Sequence, residues 1–215
     1  DFVQLPESWV LKQMTITGLH LQKDLKGIPT IEMVPVEKKK SIGTTRTFET
    51  DLRSFDEVRE RITTFTVMSA EKLREQRSLC KRIVVFLETN RFKETETQYY
   101  PSILIKLPFP TNSTLELVKF ANNGLKQIFK KNIYFKRGGV LLMDFVDANE
   151  FQPSLFFNSD PRHKKLMKAI DGLNRKYHKD VVRLATQDPR KHKMHQEHLS
   201  PHYTTDINEI LTVEL

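Results

Sequence analysis

The run Lys38-Lys39-Lys40, followed by Ser41-Ile42-Gly43-Thr44-Thr45-Arg46, gathers the residue types that hold a phosphate. Gly43 lets backbone amides come close, Ser41, Thr44 and Thr45 offer hydroxyl donors, and Arg46 and the lysines add charge. Arg91, Lys93, Lys136 and Arg137 are further phosphate candidates, at expected loop or strand ends. The competing reading is an ordinary edge strand beside a solvated lysine run. A second constellation is Gln152-Pro153-Ser154-Leu155-Phe156-Phe157. An extended peptide of this kind can place Leu155, Phe156 and Phe157 in an apolar groove, with Gln152 as the polar anchor. Full burial of such side chains is worth roughly 1.5–3 kcal/mol each before ordering costs. Alternatively, the rings pin this segment onto the chain's own sheet.

His192, His195, His198 and His202 fall at helical spacing, where imidazoles three residues apart share a face and can ligate zinc. Glu197 is the nearby carboxylate and no cysteine accompanies them, so a solvent- or phosphate-facing set is favoured and no metal is expected. Two-metal phosphoryl transfer needs clustered carboxylates. Asp144 and Asp147 come nearest, and no P-loop, GxSxG or HExxH motif occurs. His20, Cys80 and Ser200 have no activating neighbour in sequence. The expectation is a chain without catalytic residues or a cofactor of its own.

The elements that must position these groups follow from periodicity. Residues 7–28 read as helical with a turn, Trp9, Val10 and Met14 at helical spacing and then a second short helix from Gly18-Leu19 to a stop at Gly27-Ile28-Pro29. Residues 30–40 suit a linker. Ser41–Glu49 reads as a strand. Ser54 and Glu57 form a capping box for a helix carrying Val58, Ile62, Phe65 and Leu73. Lys81–Thr89, with Ile83, Val85 and Leu87 on one face, and Tyr100–Leu107, with Ile103, Ile105 and Leu107, read as strands. Ser113 and Glu116 look like a second capping box, opening a helix with Leu115, Val118, Ala121, Leu125 and Ile128. Val140–Val146 is a last strand in which Leu141, Met143 and Phe145 alternate. The order β-α-β-β-α-β predicts an α+β fold, a four-stranded sheet with two helices on one face. The other face stays open, with polar side chains from the first strand. Asp160-Pro161 starts a helix with Leu166, Ile170, Leu173 and Tyr177, and Val181–Ala185 is a candidate strand in a small mixed carboxy-terminal domain.

Composition narrows the function classes. The net charge is +8 and the pI about 9.5, and clustered basic residues point to a polyanion, most often nucleic acid. Arg162, Lys164, Lys165, Lys168, Arg175, Lys176, Lys179 and Arg183 crowd one stretch. The single cysteine excludes a disulfide framework and a Cys-based zinc site. No run reaches transmembrane length, and no signal peptide is evident, so no membrane partner is expected. The start at Asp1, and the unpartnered apolar positions of residues 1–35, read as a piece of a longer protein.

In order and spacing, "LKGIP", "GTTRTFE", "SAEKLREQRSLCKRIVVFLETNRF", "YY", "RGGVLLMDF", "QPSLFF" and "LSPHYTTDINEIL" resemble the UmuC-type translesion DNA polymerases of the Y family, across nearly the whole chain. The resemblance implies the end of a thumb domain over residues 1–35 and a DNA-gripping little finger over 36–149. It further implies a linker at 150–159 whose Gln152–Phe157 peptide binds the sliding clamp, and a UmuC-type carboxy-terminal domain at 160–215. It implies primer–template DNA, the sliding clamp, a UmuD′ dimer and a RecA filament as partners. SOS mutagenesis in a bacterial cytoplasm, at the nucleoid, is the implied setting. The catalytic palm, with its Mg²⁺, is expected before Asp1. A protein-interaction module for UmuD′ or RecA, with little DNA binding of its own, is the alternative.

Overall fold

The computed structural model describes residues 1–33, 35, 37–150, 158–177, 181–187, 199–202 and 205–206. The chain divides into two compact units, Asp1–Lys38 and Lys39–Leu215. In the first, a 3-10 turn, Phe2–Gln4, precedes helix α1 (Glu7–Leu25). The helical stretch is broken at Thr15 (φ 61°, ψ −169°), between the Trp9–Met14 segment and the second short helix expected from Gly18. The fully buried Gln22 donates to the carbonyls of Leu5 (2.7 Å), Phe2 (3.2 Å) and Val3 (3.3 Å), tying the amino-terminal turn to the helix. Trp9, Leu11, Met14, Ile16, Leu21 and Leu25 remain exposed.

The second unit runs β1 (Ser41–Leu52), α2 (Phe55–Glu75), β2 (Ser78–Thr89), β3 (Ser102–Thr111), α3 (Thr114–Ile128), β4 (Phe135–Asp147), α4 (Pro161–Lys176). The predicted β-α-β-β-α-β order forms, as an α+β unit. The strands lie in the order β1-β4-β2-β3 and every neighbouring pair is antiparallel. Helices α2 and α3 bury Val58, Ile62, Phe65, Leu73, Leu117, Ala121 and Leu125 against Phe48, Ile83, Val85, Leu87, Phe135, Val140 and Leu142. Gly124 lets α3 approach β3 closely, since a Cβ there would lie 2.4 Å from Ile105 Cδ1.

The phase of β4 differs from the sequence reading. Val140 and Leu142 enter the core, whereas Leu141 and Met143 belong to the opposite face. Asp144 takes φ 57°, and beyond it Phe145 returns to the core side. Its neighbour β2 skips in step, burying Cys80 and then Ile83. A paired irregularity of this kind switches which residues face inward.

The second capping box does not form. Ser113 is the N-cap of α3 without a side-chain bond of its own to that helix, and its amide donates to Thr111 Oγ1 (3.0 Å). Glu116 instead accepts from the Thr111 hydroxyl, Ser159 Oγ (2.8 Å) and the Asp160 amide (3.2 Å), and sits 3.2 Å from His163 Nδ1. These contacts seat the start of α4. Further along, Arg74 of α2 grips Asp171 of α4 in a two-pronged ion pair (2.6 and 2.7 Å) while donating to Asn112 O and Thr114 Oγ1. Both side chains are mostly buried, and removing one partner of such a pair costs about 3–5 kcal/mol. Asp160 caps α4 by accepting from the Arg162 amide, and the hydrogen bonds from Arg162 hold its carboxyl down to about 2. Val181–Ala185 is not a strand. Val182 is held by Asn174, which accepts from its amide (2.9 Å) and donates to its carbonyl (3.0 Å), a side-chain substitute for strand pairing.

Candidate nucleic-acid interface

With both helices on one face, alternation assigns every second strand residue to the other face. The register there makes four cross-strand rows. Ser41, Met143, Arg82 and Lys106 form the first, and Gly43, Leu141, Val84 and Leu104 the second. Thr45, Gly139, Phe86 and Ser102 form the third, and Thr47, Arg137 and Glu88 the fourth. The two middle rows are largely apolar. Leu104 is exposed, and Val84, Phe86 and Leu141 are half-buried. Gly139 is required by this arrangement, because a Cβ would lie 2.5 Å from Thr45 Oγ1 and 2.8 Å from the Phe86 ring. Gly43 similarly makes room for Leu141, whose Cδ1 is 3.2 Å from where a Cβ would stand.

The structure sorts the phosphate candidates read from sequence. Ser41, Gly43 and Thr45 share the open face. Thr44 does not: its side chain is buried, with Oγ1 2.8 Å from Ser69 Oγ of α2. Arg46 falls in the phase of Ile42, Thr44 and Phe48, on the helix-covered side of the edge strand. Lys38, Lys39 and Lys40 are exposed, and the Lys39 carbonyl is held by Gln76 Nε2 (3.2 Å).

Arg91, Lys93, Lys136 and Arg137 come together where β1 and β2 end and β4 begins, but each already has a carboxylate. Glu88 lies 3.7 Å from Arg137 and 3.9 Å from Arg91. Asp51 takes Lys93 at 2.6 Å and Lys136 at 3.5 Å, and Glu96 takes Lys93 at 3.1 Å. Burial would raise the Asp51 pKa, but the Lys93 hydrogen bond and the charges of Lys93 and Lys136 outweigh it and hold the carboxyl below its usual value. The same hydrogen bonds to Asp51 and Glu96 raise Lys93. Arg82 and Lys106, at the opposite end of the face, were not among the sequence candidates. Arg82 lies 3.3 Å from Asp144. The missed signal was in the run Arg82-Ile83-Val84-Val85-Phe86-Leu87, apolar in both phases, so that either face could have been the buried one.

Gln152, Leu155, Phe156, Phe157, His192, His195 and His198 lie outside the described residues. Among the described residues no group of three or more His, Cys, Asp or Glu side chains is placed to hold a metal ion. Asp144, one of the two carboxylates weighed for a metal, is engaged by Arg82. Cys80 is buried, and desolvation pushes its thiol up to about 12, far from a nucleophile's range. No helix among the described residues is long and apolar enough to cross a membrane.

Several known proteins are similar to this chain in sequence. Protein UmuC of Salmonella typhimurium is 29% identical over 212 residues, 96% of this chain and 50% of that protein. Protein MucB of Escherichia coli is 30% identical over 174 residues, 80% of this chain and 41% of that protein. Protein SamB of Salmonella typhimurium is 29% identical over 97% of this chain and 50% of its own length. The chain thus spans about half the length of the curated relatives it matches. The solved insertion ternary complex of Dbh DNA polymerase aligns with 68% of this chain and 40% of that chain at 18% identity and a TM-score of 0.42, too slight a likeness to build on. Residues 164–213 match a domain of unknown function, DUF4113. Residues 39–155 match the C-terminal domain of the impB/mucB/samB family, and the chain belongs to that family.

Proposed function

We propose that this chain is the DNA-holding and clamp-docking portion of a translesion DNA polymerase, with the open sheet face laid along the primer–template duplex. The observation that carries the reading is that, among the described residues, helices cover the sheet on one face only. Three interstrand steps of about 4.8 Å make the face ~14 Å wide, close to the ~12 Å of a major groove. The rows holding Arg82 with Lys106 and Arg137 with Glu88 are separated by roughly 20 Å of strand, which sets cations at both ends of the face for phosphates spaced along the duplex. Ser41, Thr45 and Thr47 add hydroxyl donors along the edge strand. The apolar middle rows carry no hydrogen-bonding code for bases, so binding is without sequence preference.

Most cations of this face must exchange a carboxylate for a phosphate. Binding is therefore weak and steeply salt-dependent. Four to six phosphate contacts give a log–log slope of roughly −4 to −5 on duplex DNA. Phosphoryl transfer with Mg²⁺ belongs to the palm of the whole protein, a bacterial cytoplasmic enzyme working at the nucleoid. Residues 152–157 supply the clamp peptide, and UmuD′ and a RecA filament are the further partners of the whole protein.

The test is the salt slope of duplex binding by the chain, compared with Arg82→Gln/Lys106→Gln. Loss of two contacts should flatten the slope by about 2, equally on all sequences. An unchanged slope in a folded variant would overturn the sheet-face assignment and favour a face that docks protein.

A further inference from the structure

We propose that the outward face of α4 is a second contact for the nucleic-acid backbone, separate from the sheet. Helix α4 is fixed to α2 and α3 through Arg74–Asp171, Glu116, Ser113–His163 (3.0 Å) and the buried Met167. At about 100° per residue, the side turned away from these contacts carries Lys165, Lys168 and Lys176 within roughly 80° of arc. All three are exposed. Ala169 and Gly172 lie between them, and a Cβ on Gly172 would meet nothing within 4 Å, so the surface is open to close approach. Lys165 and Lys176 are about 16 Å apart along the axis, matching roughly five 3.4 Å steps of one DNA strand.

What separates this surface from the sheet ends is the state of its charges. At the sheet ends Arg82, Arg91, Lys93, Lys136 and Arg137 each have a carboxylate within 4 Å, Lys106 being the exception among the described residues. Among the described residues no carboxylate stands within ion-pair distance of Lys164, Lys165, Lys168 or Lys176. The acidic residue of α4, Asp171, is turned inward to Arg74. Arg162 and Arg175, paired with Asp160 (2.7 Å) and Glu75 (3.8 Å), extend the patch at either end.

The chemistry selects the partner. Protein interfaces are depleted in lysine and centre on buried aromatic or arginine anchors, whereas the middle of this patch is lysine, alanine and glycine. A membrane-surface helix needs a wide apolar face free to insert, and much of the apolar side of α4 is taken up by Met167 and its neighbours. Leu166, Leu173 and Tyr177 are exposed along one margin, so lipid is included as an arm of the test. Phosphodiester backbone is what a row of lysines without a carboxylate among the described residues fits.

The experiment is a fluorescence-anisotropy titration of duplex and single-stranded oligonucleotides with the full chain across a salt series. Lys165→Gln/Lys168→Gln/Lys176→Gln should flatten the duplex slope by about 2 to 3 and the single-strand slope by about 2. The corresponding triple arginine variant should retain the slope. The effect should add to that of Arg82→Gln/Lys106→Gln, because the two surfaces share no residue. If only the α4 variant acts, the sheet reading fails and this one stands. If the α4 variant melts as wild type and its slope is unchanged, the proposal is overturned. Binding to anionic phospholipid vesicles lost in the variant, with the DNA slope intact, overturns it in favour of lipid. Should the triple variant fail to fold, each single glutamine substitution is read instead, at about 0.9 of slope apiece.

Discussion

The two faces of the sheet are built from the same strands and are apolar to a similar degree, yet they have different fates. On the covered side Ile83, Val85, Leu87, Val140 and Leu142 have no exposed surface, sealed by α2 and α3. On the other side Val84, Phe86 and Leu141 are only half-buried and Leu104 is exposed, between one row that holds Arg82 and Lys106 and another that holds Arg137. Polar groups divide the same way. Thr44 shares a hydrogen bond with the Ser69 hydroxyl within the fold, while Thr45, one residue on, faces outward beside Gly139. The covered face is finished by folding, and the open one keeps apolar surface and cations exposed, as the proposed DNA contact requires.

Substitutions that probe each face should separate these roles. Leu142→Ala opens a cavity in the sealed core and should cost about 2–5 kcal/mol in urea unfolding, while Leu104→Ala should stay within about 0.5 kcal/mol and act on DNA affinity instead. A large loss of stability at Leu104 would show that the open face is part of the core after all. Thr44→Val leaves the Ser69 hydroxyl without its partner and should cost about 1–3 kcal/mol. Thr45→Val should be near neutral in the same measurement. The smallest effect is electrostatic. Asp51 has a depressed folded-state pKa, so its contribution to stability is present above the unfolded value near 3.8 and is lost as pH falls through the folded one. Asp51→Asn should therefore lower the melting temperature at neutral pH, and the gap from wild type should close below pH 3.8. A gap that persists in acid would place the effect elsewhere than the Lys93 and Lys136 pairs.

Much of this was legible in the residues. The helical spacing of Val58, Ile62, Phe65 and Leu73, and the alternation of Ile83, Val85 and Leu87, gave the right elements in the right order, because burial on one face imposes a period. The phase of β4 was not legible. Leu141 and Met143 look as apolar as Val140 and Leu142, and the switch at Asp144 depends on a backbone conformation that sequence does not print. The Ser113/Glu116 capping box misled because a distant segment, Ser159 to His163, competes for both side chains. Among the phosphate candidates, residue type and proximity to Lys38–Lys40 could not distinguish Thr44 and Arg46 from Ser41 and Thr45. Only strand phase does so, and only once the covered face is known. Arg82 and Lys106 were hidden for the same reason, inside strands whose apolar residues drew attention to the core.

The most direct test of the two-face account is methyl NMR of the chain titrated with primer–template duplex. The methyl groups of Val84, Leu104, Leu141 and Met143 should shift with added DNA, while those of Val85, Leu87, Val140 and Leu142 hold still. Saturable DNA binding that leaves all four open-face residues unmoved would contradict it.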